Sequence, residues 1–133
     1  MRALRCVQYS SPSVVRVLLA CLIVAGCSFT YRVIAVYHGA SVYFVKEEGG
    51  KGTGCLSNFS ITSENGDVVW KISRDAYQAP PCQSTFPLEY GSAPKGFTVE
   101  IPPQTLKQGV RYRIDGWDGD TAEGGFVYKL RTG

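Results

Sequence analysis

Short runs in which apolar and polar residues alternate, separated by glycine and proline, dominate the sequence after residue 30. The alternation recurs in residues 55–62, 68–73, 97–101 and 110–115. A period of two places every second side chain on one face of a strand, whereas a helix needs a period near 3.6. No stretch in this part of the sequence keeps a helical period. The pattern predicts an all-β fold, a two-layer antiparallel β-sandwich of about seven strands.

The connections between the predicted strands are marked by turn-forming residues. We predict loops or turns at residues 38–39, 47–54, 64–67, 74–87 and 118–125. Asn65-Gly66 suits a hairpin turn, because both central residues of such a turn take positive φ. Trp70 lies on an early strand that should be central, so we expect it in the core. Residues 88–90 can form only a short edge strand, and Phe126 and Tyr128 belong to a final one.

The first 26 residues have the features of an export signal. Arg2, Arg5 and Arg16 precede an apolar run over residues 17–27, and no acidic residue occurs before Glu47. The uncharged stretch over 17–31 has 15 residues, whereas a membrane-spanning helix needs about 20. A basic start, a short apolar run and small residues before a cleavage point are typical of a secretory signal.

The end of this run, Val24-Ala25-Gly26-Cys27, resembles the lipobox of bacterial lipoproteins. The resemblance implies a diacylglycerol thioether on Cys27, cleavage before it, and acylation of its freed amine. Residues 1–26 would then be a signal peptide, 27–30 a lipidated tether and 31–133 the β-sandwich domain. Two or more acyl chains anchor a protein stably to a membrane. Ser28 follows the cysteine, where an aspartate would resemble an inner-membrane retention signal, so we expect the periplasmic side of the outer membrane. The alternative is a plain signal peptide with an incidental cysteine.

The leader also accounts for the charge and for most of the cysteines. It holds three of the 14 basic residues and none of the 11 acidic ones, which leaves 11 of each sign (14 − 3 = 11). This neutral balance gives no basis for nucleic-acid binding. With Cys6 and Cys21 removed and Cys27 lipidated, Cys55 and Cys82 remain. In an exported domain they are expected to form a disulfide, the alternatives being a free thiol pair or a redox couple.

A second resemblance concerns the fold. Leu106, Gly109 and Tyr112 have the spacing of the tyrosine corner of fibronectin type III and related immunoglobulin-like domains. The resemblance implies that the Tyr112 hydroxyl bonds back to the connection before its strand. It implies an immunoglobulin-like sandwich, a fold that hosts many unrelated functions.

The candidate contact residues are Asp115, Trp117, Asp118 and Asp120, which we place in a possible binding loop. Together with Glu123, the three aspartates have an alternating spacing that suits calcium. They lack the full residue order of a calcium-binding loop, and a solvated hairpin is the favoured interpretation. A tryptophan among polar residues can anchor a partner or a sugar ring, or it can cover the end of the core, which we favour here. We predict no metal site.

No residue pattern indicates catalysis or a cofactor. The single histidine, His38, falls in a predicted turn, whereas a catalytic triad needs a histidine presented in a pocket. We therefore expect a binding or structural module, not an enzyme, held at the membrane by lipid on Cys27. It would bind an envelope protein or glycan through residues 49–54 and 115–125. The alternative is an inhibitor of an envelope enzyme, such as a lysozyme or protease, that acts through residues 75–87.

Overall fold

The computed structural model describes residues 28–50, 52, 54–75, 82 and 84–130. These residues form eight strands, one more than predicted, and no helix occurs among them. The strands are β1 Thr30–His38, β2 Ser41–Lys46, β3 Asn58–Ser63, β4 Val68–Arg74, β5 Leu88–Glu89, β6 Phe97–Ile101, β7 Arg111–Asp118 and β8 Asp120–Val127. The all-β prediction is confirmed. The predicted leader and Cys27 lie outside the described residues, so cleavage and lipidation stay predictions.

The strands form one curled sheet in the order β5-β2-β1-β8-β7-β3-β4-β6. Every neighbouring pair is antiparallel except β1 and β8, which run parallel. Strand β1 joins the two flanks of the sheet, because Thr30 to Arg32 pair with β8 and Val33 to His38 pair with β2. The sheet therefore curls as a half-barrel, and the structure does not establish the immunoglobulin-like sandwich in particular.

The core lies on the concave side of the curled sheet. Phe44 on β2 contacts Phe59 on β3 with ring centroids 5.3 Å apart, so an aromatic pair links one flank to the other. Trp70 is fully buried, as predicted, and packs edge-on against Phe59 at 5.9 Å. Burying side chains of this size dominates the stability of a domain of about 100 residues.

The hairpin between β3 and β4 turns at the predicted residues, but its turn runs from Ser63 to Gly66, whose amide donates to the carbonyl of Ser63 over 2.9 Å, so Gly66 is the last residue of the turn and not a central one. Gly66 takes a φ of 90°, and the amide of Ser63 donates to the carbonyl of Asp67 over 2.8 Å. The positive φ explains why glycine stands at this position, since a side chain strains the backbone there.

The predicted polar turn over residues 118–125 is wrong. Strands β7 and β8 are joined by a tight turn at Gly119, which has a φ of 76°, and β8 occupies most of the supposed turn. The sequence Asp-Thr-Ala-Glu-Gly-Gly at the start of β8 has low strand propensity. It is extended because β7 pairs with it on one side and β1 on the other, and such tertiary pairing outweighs propensity.

The hydrogen bond of the predicted tyrosine corner is confirmed. The amide of Lys107 donates to the Tyr112 hydroxyl over 2.9 Å, and Gly109 has a φ of 80°. The Tyr112 ring stacks on Phe126 at 5.5 Å. The bond fastens the connection before β7 to Tyr112, which lies near the start of that strand.

Cys55 and Cys82 form the predicted disulfide, with their Cα atoms 5.9 Å apart. Hydrogen bonds beside the disulfide hold the segment before β5 to the segment before β3. The amide of Leu56 donates to the Thr85 hydroxyl over 2.9 Å, and the amide of Thr85 donates to the carbonyl of Gly54 over 2.8 Å. Much of the predicted irregular connection over 74–87 lies outside the described residues.

Candidate binding groove

A groove runs along the outer face of the β7–β8 hairpin. It consists of two adjoining depressions of about 470 Å³ and 360 Å³ that share Arg113, Gly124 and Gly125. The first depression is also lined by Arg32, Val33, Ile34, Asp115 and Glu123, and the second by Ser63, Glu64, Gly66, Arg111 and Tyr112. We call the combined feature the glycine groove.

Gly124 and Gly125 on β8 lie in different surroundings, and the absence of a side chain has a different effect at each. Gly124 lies directly against β1, and a Cβ there would overlap the carbonyl oxygen of Val33. Glycine in a strand often marks such a close approach of another backbone. Gly125 is exposed, and its Cβ would lie 3.3 Å from the carbonyl oxygen of Tyr112. The absence of a side chain at Gly125 keeps the floor of the groove open.

The groove exists because β1 leaves β8. The parallel ladder ends at the pair Arg32 and Glu123, after which β1 pairs with β2 alone on its other edge. Ile34, which follows on β1, is 40% exposed and lines the groove wall. Beyond Glu123, β8 still contacts β1 at two points, because Gly124 lies against the Val33 carbonyl and the Tyr37 hydroxyl donates to the carbonyl of Val127 over 3.0 Å. The accessible surface is the outer face of the hairpin beside Ile34.

The charged side chains in the groove balance. Three are basic and three are acidic: Arg32, Arg111, Arg113, Glu64, Asp115 and Glu123. Arg113 Nε lies 2.6 Å from Asp115 Oδ2, but both side chains are well exposed, and exposed pairs of this kind add little stability. Asp115 also faces Glu123 across the ladder, which is an unfavourable pairing of like charges. The arrangement offers both guanidinium donors and carboxylate acceptors to a ligand.

The four predicted contact residues do not form a loop. Asp115, Trp117 and Asp118 belong to β7 and Asp120 to β8, and of these only Asp115 lines the groove. The Ser57 hydroxyl donates to Asp118 Oδ1 over 2.7 Å, and the amide of Phe29 donates to Asp120 Oδ1 over 2.9 Å.

Within the described residues, no group of three or more histidine, cysteine or acidic side chains is placed to hold a metal ion. Three of the four carboxylates of the hairpin accept hydrogen bonds from other residues of the protein. Asp115 has Arg113, Asp118 has Ser57 and Asp120 has the amide of Phe29.

Trp117 does not cover the core. It is 54% exposed, so the favoured interpretation from the sequence is wrong. It lies opposite Thr121 on β8 and Asn58 on β3, near the tip of the hairpin. The exposed ring is available to a partner surface.

Tyr31 lies beneath this tip with a buried hydroxyl that bonds to no other described residue. Burial raises the pKa of Tyr31 to about 12, and the carboxylates of Asp120 and Asp118 add to the effect because they disfavour a phenolate. The phenol therefore stays protonated at neutral pH and cannot act as a general base there.

His38 ends β1, and its ring packs edge-on against Tyr43 at 5.3 Å.

Comparison with protein families, curated proteins and solved structures finds no match to this chain. Within the described residues, no helix is long and apolar enough to cross a membrane.

Proposed function

We propose that this chain is an envelope lipoprotein, anchored by lipid on Cys27, whose sheet domain binds an extended segment of a protein partner in the glycine groove. The observation that carries the proposal is the groove of two adjoining depressions floored by Gly125, on an outer face that the described residues leave open. The domain acts in binding and not in catalysis.

The shape of the groove fits a short extended peptide. The groove crosses the sheet from Ile34 on β1 to Ser63 on β3, three strand spacings or about 14 Å, which matches an extended segment of about four residues. An extended segment in this groove would be held by hydrogen bonds to the guanidinium and carboxylate groups that line it, with side-chain contacts that add specificity. The balanced charges of the groove suit a peptide that carries both signs and give no preference for a polyanion.

A more specific assignment of the fold is part of the same proposal. We infer that the curled sheet is a variant of the immunoglobulin-like sandwich, in which β1 bridges the two sheets. Three features support it: the Tyr112 to Lys107 hydrogen bond, the buried Trp70 and the antiparallel pairing of all other neighbours. The alternative role, as an inhibitor acting through residues 75–87, rests largely on residues outside the described ones, and no contact favours it.

Lipid attachment is tested with Cys27→Ser. We expect wild-type protein to incorporate labelled palmitate and to fractionate with membranes, and the variant to lose both, because serine cannot form the thioether. Cys55→Ala with Cys82→Ala is the matched control and should remain labelled. Continued palmitate labelling of Cys27→Ser would show that lipid is attached elsewhere and would remove the anchor from the proposal.

The groove is tested with Gly125→Thr. A threonine fits a strand and fills the groove floor, so we expect at least a tenfold loss of affinity for the partner, equal to about 1.4 kcal/mol. A photo-crosslinking residue at Arg113 should give one dominant protein adduct in envelope preparations, and Gly125→Thr should abolish that adduct. Thr121→Val, on the same face of β8 but outside the groove, is the control and should leave it intact. Equal crosslinking by all variants, or retention on isolated peptidoglycan without any protein adduct, would contradict a peptide ligand.

A further inference from the structure

One end of the sheet contains the start of the described chain and the tip of the β7–β8 hairpin. Phe29 lies beside Thr121, whose amide donates to the Phe29 carbonyl over 2.8 Å, and Thr121 pairs with Trp117. The amide of Ser57 donates to the carbonyl of Trp117 over 2.9 Å. We call this the proximal end and define it by residues 28–29, 47–50, 57 and 117–120.

The chain enters the domain at this end, and Phe29, the second described residue, is already hydrogen-bonded to β8. The amide of Phe29 is already bonded to Asp120 and its carbonyl to the amide of Thr121. Phe29 is two residues after Cys27, and two residues span at most about 7 Å. Lipid on Cys27 would therefore hold the backbone of Phe29 within about 7 Å of the lipidated residue, and so close to the membrane surface.

Two large apolar side chains are exposed at the proximal end. Trp117 is 54% exposed and Phe29 is 41% exposed. Phe29 immediately precedes β1, Trp117 lies on β7, and β8 runs between these two strands, so the two backbones are about 10 Å apart at the usual strand spacing. Exposed aromatic residues have a favourable place at the interface of a membrane, where tryptophan sits at the level of the headgroups.

We propose that the proximal end rests on the lipid surface, with Trp117 and Phe29 at the level of the headgroups. This inference rests on the proposed lipid anchor at Cys27. Because the connection to Cys27 is so short, the same few residues of the domain stay next to the membrane continuously. The contact stabilises one orientation of the domain in which the end of the groove near Glu64 and Arg111 points away from the bilayer.

The charge of the proximal end selects the kind of lipid. Among the described residues of the proximal end, the charged ones are acidic: Glu47, Glu48, Asp118 and Asp120. The adjacent Lys46 on β2 donates to the carbonyl of Gly52 over 2.7 Å. An anionic surface would repel these carboxylates, since such surfaces attract basic segments. The structure therefore assigns zwitterionic headgroups to the contact.

Tryptophan fluorescence tests the contact, because the sequence has two tryptophans and Trp70 is fully buried. Palmitoylated protein is reconstituted in phosphatidylethanolamine and phosphatidylcholine vesicles that contain a lipid with a quencher on its headgroup. We expect the lipid to quench at least half of the Trp117 emission and acrylamide quenching to fall at least twofold relative to soluble Cys27→Ser. Trp117→Phe is the matched control, because it retains Trp70 and should lose the lipid-quenched component.

The outcomes separate this inference from the proposed function. Palmitoylated, vesicle-bound protein whose Trp117 stays unquenched by lipid, and as accessible to acrylamide as in Cys27→Ser, would overturn the contact and leave the anchor intact. Absence of palmitate on Cys27 would overturn both. Replacing part of the zwitterionic lipid with anionic lipid should reduce the quenching, and an increase would overturn the assigned headgroup chemistry.

Discussion

Replacing Gly124 with valine is expected to lower the free energy of unfolding by about 3 kcal/mol or more, the upper part of the range for overpacked sites. The Cβ of any side chain at this position would overlap the carbonyl oxygen of Val33, and it would also lie 3.3 Å from the Ile114 side chain. The clash with Val33 is with backbone, which cannot move aside by a change of rotamer. Relief requires that β1 separate from β8, and that contact joins the two flanks of the sheet.

Urea denaturation followed by circular dichroism measures this effect, with Gly125→Val as the matched control. Gly125 is the next residue on the same strand, is exposed, and has its closest contact at 3.3 Å, so the control should lose no more than about 1 kcal/mol. Equal stability of the two variants would show that the β1–β8 contact does not join the flanks as described.

The strands that alternate regularly could be predicted from the sequence. Phe59 and Ile61 on β3, and Tyr112 and Ile114 on β7, are buried as the period of two indicates. The disulfide and the Tyr112 hydrogen bond were also predictable, because each depends on a few residues whose chemistry is specific: two remaining cysteines in an exported domain, and a tyrosine at a fixed distance from a turn.

Strand β8 could not be predicted, because its extended conformation depends on pairing with other strands and not on its own residues. Glycines and acidic residues at 118–125 have the composition of a turn, and only the pairing with β1 and β7 makes them extended. The parallel contact of β1 with β8 joins residues about 90 positions apart, which no local pattern encodes. The glycine groove depends on that contact, so Arg32 could not be placed beside Arg113 from the sequence.

The position of Trp117 could have been predicted more accurately. Tyr112, Ile114 and Gly116 are the buried residues of β7. Extending the same alternation by one residue places Trp117 on the outer face with Arg113 and Asp115. A loop assignment leads instead to a Trp117 that covers the core, because the period of two does not extend into a loop.

The proposed export of the domain would link the proposed anchor, the groove and the disulfide. Export would place the domain in an oxidising environment, where Cys55 and Cys82 can pair and where an envelope partner can reach the groove. The disulfide is a structural element that the proposed address would allow to form.

Removing the disulfide with Cys55→Ala and Cys82→Ala is expected to lower the free energy of unfolding by about 3.5 kcal/mol. The bond closes a loop between positions 27 residues apart, and in the chain-entropy model a loop of that size restricts the unfolded state by this amount. The folded state should keep its sheet, because Thr85 still bonds to Leu56 and Gly54. The effect then acts mainly through the unfolded chain.

Urea denaturation of the soluble Cys27→Ser background, with and without dithiothreitol, measures the contribution of this disulfide. The reductant should bring the oxidised protein to the stability of the double alanine variant and should leave that variant unchanged. Protein made in a reducing cytoplasm should show the lower stability until it is oxidised, because the thiols stay unpaired there. A difference below about 1 kcal/mol would mean that residues 55–85 already contact one another in the unfolded chain, since a disulfide stabilises only to the extent that it restricts that ensemble.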